Sequence, residues 1–72
     1  MNWLLVEQNW PQFKGVVKAR WFQFSDEQLQ SIGGKRPQLL AKIQETYGVS
    51  RAMAEREIKT FEARNKNFKP KN

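Results

Sequence analysis

The chain has 72 residues and a formal charge of +6, with thirteen Lys or Arg against seven Asp or Glu, and neither cysteine nor histidine. A chain of this length makes one domain and buries only about 60% of the surface its unfolded form exposes. The missing residue types exclude disulfide bracing, the usual zinc, copper and haem ligands, and catalysis by thiol–imidazole or serine–histidine pairs.

Asn2 is placed to cap a first turn over residues 3–7. Asn9 reads as the next N-cap, with Pro11 in the first turn, where its missing N–H does no harm. From there Trp10, Phe13, Val17, Trp21 and Phe24 recur at spacings of three and four, the stripe of one amphipathic helix. Gly15 inside that helix costs about 1 kcal/mol relative to alanine and suggests close approach of a neighbouring helix. Ser25 and Gln28 form a capping box, with Asp26 and Glu27 at the positive end of the helix dipole. Leu29 and Ile32 point inward, and Gly33-Gly34 stops this short helix. Pro37 lies early in a further helix over 35–47, with Leu39, Leu40, Ile43 and Tyr47 inward and Gly48 at its end. Ser50 caps the last helix, 51–64, in which Ala54, Ile58 and Phe61 form the buried stripe and Glu55–Lys59 is an i,i+4 pair. The text NKNFKPKN from Asn65 onward has no periodicity. The expected organisation is a single helical domain over 1–65 and a basic disordered tail over 66–72. With no strand signal and no internal repeat, the fold class is all-α: a compact bundle of four to five short helices, its core supplied by the three Trp, five Phe and one Tyr.

The stretch IQETYGVSRAMAEREI, residues 43–58, has the turn of a DNA-reading helix-turn-helix. Its packing positions do not follow. Gln44 stands where the helix crossing needs a small residue, and Ala54 where it needs a large aliphatic one. Glu57 stands where a second aliphatic belongs, with Ile58 one step late, and one step rotates a helix face by about 100°. Residues 51–64 also mix four basic with three acidic side chains, and acids beside phosphates oppose binding. Two core helices joined by an ordinary turn is the better reading, with Arg51 and Arg56 pairing with Glu55 or Glu62.

Candidate polyanion contacts are Lys14, Lys18, Lys35, Arg36, Lys66, Lys69 and Lys71. The last three lie in the final eight residues, which hold no acid. A basic balance gives solubility and weak polyanion affinity without establishing a nucleic-acid function. Aromatics interleaved with lysines, as in WPQFKGVVKARWFQF, suit a stacking platform for single strands. Their spacing suits a core stripe better. Trp3, Val16 and Phe22 are either scattered exposed apolar residues or an interface for self-association or a protein partner. The carboxylates show no convergence on a site, and Gly33-Gly34-Lys35 lacks the upstream glycine of a phosphate-cradling loop. Neither an enzyme, a small-molecule substrate nor a cofactor is expected. The apolar run Trp3–Val6 is too short for a membrane span or an export signal, so a cytoplasmic protein is expected.

The segments NWPQFKGVVKARW, SDEQL, GGKRPQLLAKIQETYG and AEREIKTFEARN occur in an order and spacing that resemble the CsbD-like family of small bacterial stress-response proteins. The likeness covers about residues 2–65, and Asn9-Trp10, Gln12-Phe13-Lys14-Gly15 and Gly34-Lys35-Arg36 are its most distinctive text. It implies a small helical fold of the SAM-domain-like type and expression raised under general or envelope stress. It implies no catalytic activity, cofactor or ligand, so no site residue is carried over. The chain departs from the pattern at Val16, usually lysine, at Phe22, usually glycine, and at Pro37, usually polar. The first two make an exposed face more apolar. Together these readings point to a non-enzymatic stress-response protein acting by binding. Weak sequence-independent nucleic-acid binding, or homo-oligomerisation around Phe22, is the alternative.

Overall fold

A computed structural model describes residues 1–68. Five helices follow one another: α1 Trp3–Gln8, α2 Trp10–Arg20, α3 Asp26–Ile32, α4 Arg36–Tyr47 and α5 Arg51–Arg64. Among the described residues there is no strand, and the chain is the all-α bundle its periodicity indicates. α4 is central, packing on both α3 and α5, while α1 lies against α2.

The helix boundaries are mostly set by local side-chain caps. The Asn2 side chain accepts from the Leu4 and Leu5 N–H groups at the start of α1. Ser25 accepts from the Gln28 N–H, and the Gln28 side chain accepts in return from the Ser25 N–H, completing the capping box of α3. Ser50 accepts from the Met53 N–H at the start of α5. α4 ends at Gly48, whose φ of 64° places it in the left-handed region.

Two local expectations need correcting. Asn9 stands at the start of α2 but does not cap it with its side chain. That amide turns back and donates to the Leu5 carbonyl, closing α1 instead. The helix carrying the aromatic stripe stops at Arg20 rather than running on through Phe24. No glycine or proline ends it. The freed groups find other partners: the Gln23 N–H donates to the Tyr47 hydroxyl, the Lys18 ammonium to the Phe24 carbonyl, and the Phe24 N–H to the Trp21 carbonyl. The turn still delivers Trp21 and Phe24 to the interior.

That interior is wholly apolar among the described residues. Val6, Trp10, Phe13, Val17, Trp21, Phe24, Leu29, Ile32, Leu39, Leu40, Ile43, Ala54, Ile58 and Phe61 are all buried, and no polar or charged residue joins them. The aromatic run is therefore core, and the stacking-platform reading is excluded for Trp10, Phe13, Trp21 and Phe24. Ring contacts knit α2 to α5: Phe13 meets Phe61 edge-on at 5.8 Å, and Trp21 meets Phe61 at 4.9 Å. Ile58 is buried and Glu57 lies at the core's edge, as the shifted register requires. Past α5, residues 65–67 make a turn and the Phe68 ring sits edge-on to Phe13 at 4.5 Å. The tail expected from residue 66 thus includes one ring packed on the core, and its remainder, 69–72, lies outside the described residues.

The close approach foreseen at Gly15 occurs at Gly34. Nothing lies within 4 Å of where a Gly15 Cβ would stand. A Cβ on Gly34, at φ 80°, would fall 2.7 Å from the Glu7 Cα, so the α3–α4 turn meets the α1 backbone where only hydrogen fits. Gly15→Ala is therefore expected to stabilise the protein by about 0.5–1 kcal/mol, raising its melting temperature by a few degrees. Gly34→Ala is expected to destabilise it by at least about 2 kcal/mol. Thermal and urea denaturation of both variants check the pair.

Candidate functional site

The polar chemistry of the molecule concentrates along the two shoulders of α5. On one shoulder Glu55 and Glu62, seven residues apart and so on the same side of the helix, converge on Arg36 at the start of α4. Arg36 Nε donates to Glu62 Oε2 at 3.0 Å, and Nη1 stands 2.8 Å from Glu55 Oε1 in an ion pair too bent for an aligned hydrogen bond. Trp3 Nε1 donates to the same Glu62 oxygen at 2.7 Å. One carboxylate thus joins α1, α4 and α5. The carboxylates expected not to converge do so, and Glu55 takes Arg36 rather than Lys59, Arg51 or Arg56.

On the other shoulder Glu57 Oε1 accepts from Trp21 Nε1 at 2.9 Å and from Arg20 Nη2 at 3.4 Å. The Arg20 guanidinium also lies over the Trp21 ring, 4.9 Å from its centroid. The third indole, Trp10, donates to the Leu29 carbonyl at 2.9 Å. Each tryptophan N–H therefore has an acceptor, and two of the three acceptors are carboxylates of α5.

The surroundings shift two of these groups. Burial raises the Glu62 pKa, but hydrogen bonds from Trp3 and Arg36 and the Arg36 charge outweigh it, leaving the carboxyl below its usual value. Burial works against the Arg36 charge, yet the contacts with Glu62 and Glu55 hold its pKa above the usual value. Each shift favours the charged form.

Beside this network a shallow groove of about 440 Å³ opens between α1 and the start of α4, lined by Trp3, Leu4, Glu7, Lys35, Arg36 and Pro37. Lys35 faces Glu7 across it at 3.6 Å. The groove has an apolar floor and one ion pair, with no nucleophile beside a base. No group of three His, Cys, Asp or Glu able to hold a metal ion occurs among the described residues. Nor is any described helix long and apolar enough to cross a membrane.

The candidate polyanion residues differ in their surroundings. Arg36 is engaged by two carboxylates, Lys18 by the Phe24 carbonyl, and Lys35 by Glu7. Lys14 and Lys66 are exposed, and Lys69 and Lys71 lie outside the described residues. Of the three candidate interface residues, Trp3 and Val16 are half-buried and pack against the core. Phe22 is 70% exposed. Leu4, at 61%, is a second large exposed apolar residue that the sequence reading did not single out. The missed pairing of Glu55 with Glu62 was signalled by their spacing of seven; the identity of their common partner had no local signal.

Several curated bacterial proteins are similar to this chain. It is 49% identical over 57 residues to the UPF0337 protein YjbJ of Escherichia coli strain K12, covering 79% of this chain and 83% of that one. It is 47% identical over 66 residues to the UPF0337 protein ECA0631 of Pectobacterium atrosepticum, covering 92% and 96%. It is 44% identical over 61 residues to the UPF0337 protein NE2439 of Nitrosomonas europaea, covering 85% of this chain and 65% of that longer protein. No family model matches the chain, and no solved structure matches it.

Glu62→Gln tests the shared carboxylate. Because the folded-state pKa of Glu62 is lowered from 4.5, the stabilisation it gives is present above that value and is lost as the pH falls through the folded pKa. The variant is expected to be less stable than wild type at neutral pH by about 1–3 kcal/mol. The difference should narrow as the pH falls from 4.5 through the lowered folded-state pKa, where wild-type Glu62 takes up its proton. Urea denaturation across that range measures it.

Proposed function

This chain belongs to the UPF0337 family, and on that footing we propose that it is a non-enzymatic, cytoplasmic, stress-associated protein that acts by binding. The stress association rests on the resemblance to CsbD-like proteins carried by Asn9-Trp10, Gln12-Phe13-Lys14-Gly15 and Gly34-Lys35-Arg36. One observation carries the non-enzymatic part: the carboxylates that a catalytic site would draw on are already committed. Glu55, Glu57 and Glu62 hold the Trp3 and Trp21 indoles and the Arg20 and Arg36 guanidiniums. Glu7 and Glu45 lie beside Lys35 and Lys42, and Asp26 and Glu27 sit in the first turn of α3. What faces solvent in quantity is basic charge with a few isolated apolar side chains, the equipment of a binding surface rather than of a reaction centre.

The pure protein, incubated with a mixed extract of small metabolites and followed by mass spectrometry, is expected to change none of them in proportion to its concentration. Specific turnover that scales with protein and is lost on heating overturns the reading.

A further inference from the structure

The acids of α5 appear in the sequence as a counterweight to its basic residues, and the structure removes that counterweight. α5 has 14 residues and is about 21 Å long. At 100° per residue its buried line is Ala54, Ile58 and Phe61, and its shoulders are Glu55 and Glu62 on one side and Glu57 on the other. All three carboxylates are turned toward Arg36, Trp3, Trp21 and Arg20. The opposite face is Ala52, Arg56, Lys59, Thr60 and Ala63, all exposed; exposed Arg51 and Arg64 flank it at the two ends, Arg51 on the side of Glu55 and Glu62 and Arg64 on the side of Glu57. None of Arg51, Arg56, Lys59 and Arg64 is in an ion pair among the described residues. A helix with four basic and three acidic side chains therefore shows solvent an acid-free basic face.

We infer that this outward face of α5 binds the phosphate backbone of duplex nucleic acid without reading its sequence. The inference rests on the reading that the protein acts by binding, and it names the partner. Charge complementarity carries it: Arg56 and Lys59 stand on the face itself and Arg51 and Arg64 flank it at the two ends, so the cations span nearly the whole helix, a length that passes several phosphates of a duplex. Arginine offers phosphate a planar fork of N–H groups, and the alanines and threonine between the cations keep the face low enough for close approach. The same face is unsuited to a membrane. A helix lying in a lipid surface buries Trp, Phe or Leu, whereas the large apolar residue exposed on α5 is Met53, at the face's edge. Base readout is not part of the proposal, because the helix–helix packing here is not that of a DNA-reading motif and backbone contacts carry no sequence information.

Full-length protein is titrated into a labelled mixed-sequence DNA duplex of about two helical turns, from low to physiological salt, with anisotropy as the readout. Binding is expected at low salt, and log K should fall against log salt with a slope of about −2 to −4, one increment per phosphate contact, Arg56 and Lys59 supplying two of them. Arg56→Gln with Lys59→Gln, at exposed positions and with circular dichroism run alongside to check that the fold is kept, should weaken low-salt binding at least about tenfold and reduce the slope by about 2. Lys14→Gln with Lys35→Gln should leave both unchanged. Loss in the second pair and not in the first moves the phosphate contacts off α5 and overturns the inference. So does absence of duplex binding at low salt, or binding to phosphatidylglycerol vesicles in its place. None of those outcomes shows turnover, so the non-enzymatic reading stands or falls by its own experiment.

Discussion

Three indole N–H groups in a small apolar core each require an acceptor, and much of the molecule's polar arrangement follows from that requirement. A buried N–H left unpaired costs about 1–3 kcal/mol, a large share of what a domain of this size has to spare. Trp10 finds a backbone carbonyl within reach. Trp3 and Trp21 find carboxylates, and both carboxylates belong to α5. Arg36 helps to hold Glu62 in its charged form at the edge of the apolar interior, and Arg20 pairs with Glu57. α5 consequently acts as the rail to which α1, the end of α2 and the start of α4 are fixed.

This division of labour also separates the two sides of α5. Acids that hold tryptophans are unavailable to neutralise cations elsewhere on the helix. The net positive charge in the composition is thereby concentrated on surfaces that face away from the core. Structural demand on one side of a helix thus sets the electrostatics of the other, with no residue on the outer side having to change.

Much of the architecture was legible because it is written locally. Ser25 with Gln28, Ser50 and Asn2 cap within three residues of themselves, and Gly48 ends its helix by its own backbone preference. The inward stripes of α4 and α5 follow from helical period alone. Where the local text misled, a distant partner decided the outcome. α2 ends at Arg20 because the Tyr47 hydroxyl and the Lys18 ammonium satisfy the turn that follows. The close approach expected at Gly15 is found at Gly34 instead, because only the fold shows which one meets another backbone. The surface was less legible than the core for the same reason. Lys18, Lys35 and Arg36 look alike in a string of letters, yet each meets a partner between six and 28 residues away. The exposed cations of α5 were discounted by counting acids that face elsewhere.

The bond from Trp3 to Glu62 spans 59 residues, whereas the hairpin of α4 and α5 turns within three. Closing so long a loop is entropically expensive, while neighbouring helices meet early. α1 is thus tied to the last helix by a contact that neighbouring segments alone do not supply. Lifting α1 away would expose the Glu62 carboxylate that Trp3 covers and the seam between Gly34 and the Glu7 backbone in a single motion.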